Sequence, residues 1–350
     1  MASEKMTSTK LVLHIALTIT LVVLLPSLGR AQSETVKLGD LAAISNAAVY
    51  IAIEKGFFKE QGVVTEISNF ASAAKQVPAL VAGELEVSVG SASAGLFNAV
   101  AQQAPFRIVA DKGQAREGFG FSLLTVRKDL VDSGQVKTFR DLKGKKIGVS
   151  LIGDSEDRFT TLFVERGGLS AKDVTKISLG TSPGDRILAI KRGGVSAVVL
   201  DPAATVMAER EGLRSLAYLG DMFPLPFQGY VTTHQKIAEN PAQVKSWIRA
   251  MVRSLIFLRE RPEEAAEIVV KQLRFRNITR PILIDAIKSY VRAFPQGIPG
   301  MPSPEGIKNI LEYEVRLPMK MDESIPAEKL LDLRWVQEVK KEFERKNTSK

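Results

Sequence analysis

Residues 46–62 read N-A-A-V-Y-I-A-I-E-K-G-F-F-K-E-Q-G, and what flanks this stretch decides the fold. Val49, Ile53 and Phe57, with Tyr50, Ile51 and Phe58, recur near the 3.6-residue period of one buried helix face. Gly62 stands where a left-handed residue ends a helix. A strand is predicted over 35–41 and another over 63–70. Strand, helix, strand is the opening of an α/β sheet.

The alternation continues. The pattern predicts a helix over 72–84, with Ala73, Val77, Leu80 and Val81 on one face, then a strand over 85–90. A helix over 93–103 and a strand over 106–110 follow. Residues 121–127 read as an extended strand crossing out of this first lobe. The scheme then repeats with strands over 147–151 and 174–179 and helices over 155–166 and 184–191. The return is marked by Phe223-Pro224-Leu225-Pro226-Phe227, whose two prolines hold an extended path. A helix opens at Asn240-Pro241, a cap followed by proline in the first turn. Val244, Ile248, Met251, Leu255 and Leu258 face inward from it, and Pro262 starts another helix. Two crossings between two α/β lobes make a hinge and a closing cleft.

Residues 1–31 read as a cleaved leader. Lys5 and Lys10 precede an apolar run over 11–25, and Gly29-Arg30-Ala31 presents small residues to a signal peptidase. The rival reading is a membrane anchor, for which the run is short against the ~20 residues of a bilayer span. Cleavage is expected after Ala31. Lys5, Lys10, Arg30 and Glu4 leave with the leader, so the net charge of +9 becomes +7. A mature chain of about 320 residues has room for two cores.

The chain has no cysteine. This excludes a lipid anchor on the new N-terminus, a disulfide, a thiol nucleophile and a thiolate metal site. His234 is the one histidine left after the leader, and no G-x-S-x-G elbow accompanies it. It reads as a strand-end or surface residue. Basic residues are interspersed, with no run of the kind that tracks phosphates, so nucleic acid is not an expected partner.

Four segments carry a resemblance. The 46–62 helix is similar to the pattern A-x-V-Y-x-A-x-E-K-G-F-F-x-x-x-G. Residues 79–94 give A-L-V-A-G-E-L-E-V-S-V-G-S-A-S-A, with Glu86 in place of a usual Asp. Residues 139–149 give F-R-D-L-K-G-K-K-I-G-V. Residues 191–203 give K-R-G-G-V-S-A-V-V-L-D-P-A, with Ser196 where Asp is common. Together they resemble the periplasmic solute-binding proteins of ABC importers, in the group that captures nitrate, aliphatic sulfonates, taurine and thiamine precursors. The resemblance implies the type II periplasmic-binding-protein fold. This is an α/β architecture of two lobes, each a mixed sheet flanked by helices, with two hinge crossings. The expected divisions are 1–31 leader, 32–120 first lobe, 121–228 second lobe and 229–350 the rest of the first lobe with the C-terminal helices. It further implies a monomeric, non-catalytic receptor in the periplasm, without cofactor or metal. Such a receptor would hold a small polar organic molecule in the interlobe cleft and deliver it to an inner-membrane ABC permease.

In an open α/β sheet, ligands meet the carboxyl ends of strands and the N-termini of the following helices. That rule selects Ser45, Asn46, Ser72, Ser91 and Ser93 in the first lobe. In the second it selects Asp154, Ser155, Gly184 and Asp201, with Ser182 beside them. Each serves equally as a plain helix cap, and Asp201, ahead of Pro202, reads first as a cap. The resemblance favours Asn46, Ser72, Ser91 and Ser93 as ligand contacts. Arg116 and Arg186 have the planar fork that pairs with a carboxylate or sulfonate, though both read first as surface arginines. Asp154 and Asp201 would repel a bare inorganic anion and suit an amine or a hydroxylated nitrogenous ring. Phe227 and Gln228 offer an aromatic wall and an amide at the return crossing. Two other classes remain. One is an enzyme of thiamine-precursor metabolism on this fold, whose known forms rely on cysteines absent here. The other is a ligand sensor for a membrane signalling receptor.

Overall fold

The computed structural model describes residues 34–70, 73–90, 94–101, 103–120, 122–180, 182–226, 229–273 and 279–348. The expected leader lies outside them. Among the described residues no helix is long and apolar enough to cross a membrane.

The first sheet contains β1 (Glu34–Asp40), β2 (Val63–Asn69), β3 (Val87–Val89), β4 (Phe106–Asp111) and β12 (Gly229–Thr233), in the order β2-β1-β3-β12-β4. β1 runs parallel to both β2 and β3. β12 returns from far along the chain and pairs antiparallel with β3 and β4. Val36 and Leu38 of β1 are buried while Thr35 and Lys37 face solvent, but β3 is buried at every position and β12 at all but its last, so the middle of the sheet is covered on both faces.

The stretch read as one helix over 46–62 is two. A short 3-10 turn, Ile44–Asn46, leads into helix Ala47–Glu54, and a second helix covers Phe57–Glu60. Gly56, at φ 71°, adopts the left-handed conformation that ends the first and resets the second. The reset explains the burial. Val49, Tyr50, Ile51, Phe57 and Phe58 are buried, while Ile53, expected on the same face, is 43% exposed. Gly62 is left-handed at φ 71°, as its place at a helix stop predicts.

The second sheet contains β6 (Leu123–Val126), β7 (Lys146–Val149), β8 (Thr175–Ser178), β9 (Ala197–Leu200) and β10 (Arg214–Tyr218), in the order β10-β6-β9-β7-β8. β7 is parallel to β8 and β9, and β6 is antiparallel to β9 and β10. Helices Ser155–Arg166, Pro183–Lys191 and Pro202–Arg210 follow β7, β8 and β9. The crossing strand expected over 121–127 is instead β6, a member of this sheet. The crossings are made by β5 (Gln114–Ala115) and β11 (Leu225–Pro226), which pair antiparallel with each other. Beside them Arg116 and Phe119 exchange two backbone hydrogen bonds of 2.8 Å. Gly220 packs so tightly there that a Cβ would lie 2.2 Å from the Arg116 carbonyl oxygen and 2.1 Å from that of Phe119.

Helix Pro241–Glu260 starts at Asn240, whose side chain accepts from the Gln243 N–H at 3.1 Å. Val244, Ile248, Met251, Leu255 and Leu258 are all buried. Trp247 of this helix stacks on Phe58 at 6.0 Å and meets Tyr230 of β12 edge-on at 5.0 Å, which fixes it against the first sheet. Helix Pro262–Gln272 follows, as Pro262 predicts. Helix Arg280–Tyr290 packs on both Pro262–Gln272 and Pro202–Arg210, with Arg210 paired to Asp285.

Candidate functional site

Both sheets share one local order. In the first, β1 lies between β2 and β3; in the second, β7 lies between β8 and β9. The chain leaves the central strand toward one neighbour, then crosses back to the other. Where connections diverge in this way, a crevice opens at the carboxyl ends of the strands, and ligands of α/β proteins bind there. The two switch points are therefore β1/β3 and β7/β9.

At β1/β3 the sequence places a buried polar cluster. β1 ends on Asp40, which is wholly buried, as are Asn46 and Lys112. Asn46 stands at the cap position of helix Ala47–Glu54 but makes no side-chain cap. Its Nδ2 donates to Asp40 Oδ1 and, at 3.2 Å, to the Val89 carbonyl at the end of β3. Its Oδ1 accepts from Lys112 Nζ, which lies 3.4 Å from Ser45 Oγ. Asp40 Oδ2 accepts from the Tyr50 hydroxyl and from the Ala42 N–H at 3.0 Å. Asn46 thus bridges the two strands of the switch point and relays between a buried carboxylate and a buried ammonium.

Lys112 belongs to the Asp111-Lys112-Gly113 turn that joins β4 to the crossing strand β5. Burial pushes its pKa down, and Asp40 and Asp111 oppose that shift. Burial pushes Asp111 up, against hydrogen bonds from Gly113, Gln114 and Lys112. The Tyr290 hydroxyl is shared between the Lys112 carbonyl at 2.6 Å and the Ser45 carbonyl at 3.1 Å. This ties the C-terminal helices to the same cluster.

At β7/β9 the cluster is acidic around one guanidinium. Arg186 is 2% exposed. Its Nη1 donates to Glu156 Oε2 at 2.6 Å and to the Val199 carbonyl at 2.9 Å, and its Nη2 lies 3.9 Å from Asp201 Oδ2. Burial opposes its charge, and Glu156 and Asp201 more than offset that. Asp154 caps helix Ser155–Arg166 by accepting from the Asp157 N–H at 3.1 Å, and it also accepts from the Ser150 hydroxyl. Burial raises its pKa against the Ser150 hydrogen bond, and Glu156 adds to the rise.

The residues selected from sequence fall as follows. Ser45 and Asn46 lie in the first cluster. Ser72, Ser91, Ser93, Phe227 and Gln228 lie outside the described residues. Asp154 and Asp201 lie at the second switch point. Both are helix caps, Asp201 accepting from the Ala204 N–H at 2.8 Å. Ser155 opens the helix that Asp154 caps. Gly184 sits in the first turn of helix Pro183–Lys191, capped by Ser182, away from the acidic cluster's hydrogen bonds. Arg116 is exposed and donates to the Phe294 carbonyl at 2.9 Å, a strut between the crossing and the C-terminal region. Arg186, read first as a surface arginine, is the most buried side chain of the second cluster, because two backbone and carboxylate acceptors await it inside. His234 is exposed, and its backbone N–H donates to Pro105 O at 2.7 Å.

Sequence reasoning missed Asp40, Lys112, Glu156 and Tyr290. A signal for Lys112 was present: Asp111-Lys112 directly follows the apolar run Ile108-Val109-Ala110. It also missed Glu314, 5% exposed, in the π-helical turn Ile310–Arg316. Its Oε1 has no hydrogen-bond partner. Burial raises the Glu314 pKa to about 8, opposed by Arg158. Arg158 reaches this segment from helix Ser155–Arg166, its Nε donating to the Tyr313 carbonyl at 3.0 Å.

Residues 44–265 match the family model described as NMT1/THI5 like. The chain is 27% identical over 265 residues to a provisionally named binding protein of Brucella abortus (strain 2308), covering 71% of this chain and 75% of that one. Its fold is similar to that of the periplasmic aliphatic sulphonate binding protein SsuA from Escherichia coli. The TM-score is 0.68 at 16% identity, over 85% of this chain and 92% of that one. It is likewise similar to the periplasmic nitrate-binding protein NrtA from Synechocystis PCC 6803. There the TM-score is 0.67 at 16% identity, over 88% of each chain. At these identities the structural likeness establishes the periplasmic-binding-protein fold.

Proposed function

The chain belongs to the NMT1/THI5-like family, and from that premise we propose that it is an extracytoplasmic solute-binding receptor. It captures a small polar organic molecule between its two sheets and delivers it to an ABC permease in the inner membrane. One observation carries this reading: two sheets of the same strand order, each with polar side chains gathered at its switch point, joined by a pair of adjacent crossings. That is the arrangement of a two-walled, hinged trap. The solutes named for the sulphonate- and nitrate-binding neighbours, together with the binding protein of Brucella abortus, support binding over catalysis. So does the composition. The chain has no cysteine, and His234 is on the surface. The reading places the mature protein in the periplasm, as a monomer, after removal of residues 1–31.

A thermal-shift screen of sulfonates, taurine, pyrimidines, riboflavin and aromatic carboxylates identifies the solute, since binding to the native state alone raises the melting point. Solution scattering with the hit then tests the trap. The radius of gyration is expected to fall on saturation. A curve unchanged by a saturating solute, or recovery of a chemically altered solute by mass spectrometry, refutes the receptor reading.

A further inference from the structure

Two large apolar side chains stand in solvent at the carboxyl edge of the second sheet. Leu151 is 48% exposed and Ile152 57%, in the turn between β7 and helix Ser155–Arg166. The turn is well fixed. The Ile152 N–H donates to Ser178 Oγ, at the end of β8, at 3.1 Å. Gly153 takes the left-handed conformation at φ 91°, and its N–H donates to Asp157 Oδ2 at 3.0 Å. Asp154 then caps the helix. A turn held by three side chains presents its two apolar residues outward, where burial would ordinarily be favoured.

The charge around this turn is negative. Asp154, Glu156 and Asp201 gather near one guanidinium, that of Arg186. Arg186 is engaged by Glu156, and the neighbouring Lys176 pairs with Asp157 at 2.6 Å. An anion approaching this edge meets carboxylates first. The edge is also the β7/β9 switch point, where an α/β sheet receives its ligand.

We propose that the 150–154 turn, with Asp201 across the switch point, is the wall that selects the solute, and that it takes an uncharged or cationic organic molecule with an apolar ring or chain. Leu151 and Ile152 cover the apolar body, and Asp154 accepts from an N–H or O–H at its polar end. This rests on the receptor reading above and narrows it: a bare nitrate or a short sulfonate lacks both features.

Two dyes of one skeleton test it. N-phenylnaphthylamine is neutral, apolar and carries one N–H; anilinonaphthalenesulfonate adds a sulfonate to the same rings. The purified chain is expected to bind the neutral dye at least tenfold tighter than the sulfonated one. Leu151→Ser with Ile152→Ser is expected to weaken the neutral dye about tenfold. Leu317→Ser, another exposed apolar residue, should leave it unchanged. Asp154→Asn, which keeps the helix cap, should narrow the gap between the dyes. No binding of the neutral dye, equal binding by the serine variant, or tighter binding of the sulfonated dye overturns the assignment. So does a wild-type dimer in light scattering that the serine variant dissolves, which would make the turn a self-association surface. A solute that closes the lobes with no dependence on Leu151 and Ile152 sinks this inference alone, whereas a failure of every solute to close them sinks the receptor reading instead.

Discussion

The ammonium of Lys112 donates to the side-chain oxygen of Asn46 in the protein interior. Asn46 occupies a helix cap position and leaves the helix uncapped, because its amide serves two charges instead. A buried ammonium is tolerable only with such partners.

Asn46→Ala removes the donor to Asp40 and the acceptor for Lys112 together. Leaving a buried donor or acceptor without its hydrogen-bond partner typically costs about 1–3 kcal/mol. Urea unfolding of the variant should show a loss of that order. A midpoint within experimental error of the wild type would mean that the cluster is hydrated and that Lys112 finds water.

Glu314 predicts a pH dependence. Its folded pKa, about 8, lies above the ordinary carboxyl value, so the folded state holds a proton that the unfolded state has released. Stability is then fully present below the unfolded pKa and falls as pH rises toward 8, by up to about 1.4 kcal/mol per pH unit. Glu314→Gln should gain stability relative to wild type at pH 8 and much less at pH 5. Parallel stability curves for the two proteins would remove Glu314 from the account.

Gly220→Ala tests the paired crossings. A methyl group there meets the backbone oxygens of Arg116 and Phe119 inside contact distance. No side chain can swing aside to relieve it, so the cost should exceed the ~1–3 kcal/mol of ordinary overpacking. A variant melting within a few degrees of wild type would show that the crossings yield easily.

Asp201→Ala should lower stability by about 1 kcal/mol through the lost cap on Ala204, and Asp201→Asn should restore most of it. If asparagine fails to restore it, the charge opposite Arg186 matters more than the cap.

Much of the fold was legible because periodicity and punctuation agreed. Helix Ser155–Arg166 matches its predicted bounds, and Asn240-Pro241 opens helix Pro241–Glu260 as capping rules require. The break at Gly56 was not read, since a glycine inside a helical pattern carries no sign of whether the chain will tolerate or use it. The site was legible in part. The joint rule found Asn46, Asp154 and Asp201, since it needs only the order of strands and helices. It did not find Lys112 or Asp40, and Arg186 reads from sequence first as a surface residue. Lys112 meets Asn46 across 66 positions and Arg186 meets Val199 across 13, brought together by sheet order rather than by local pattern.

β12 also orders events in time. It is the strand that separates β3 from β4, and it lies more than a hundred residues beyond either. Until residue 233 has emerged, the first sheet is a parallel trio and a detached strand with open edges. The second sheet, by contrast, is drawn from one continuous stretch, β6 to β10. Assembly should therefore begin in the middle of the chain and finish at its outer thirds, a slow, long-range closure. Pulsed hydrogen exchange during refolding should protect the amides of β7 and β9 before those of β1 and β4. A chain that must wait for its own far end keeps the strands of its first third incompletely paired longest.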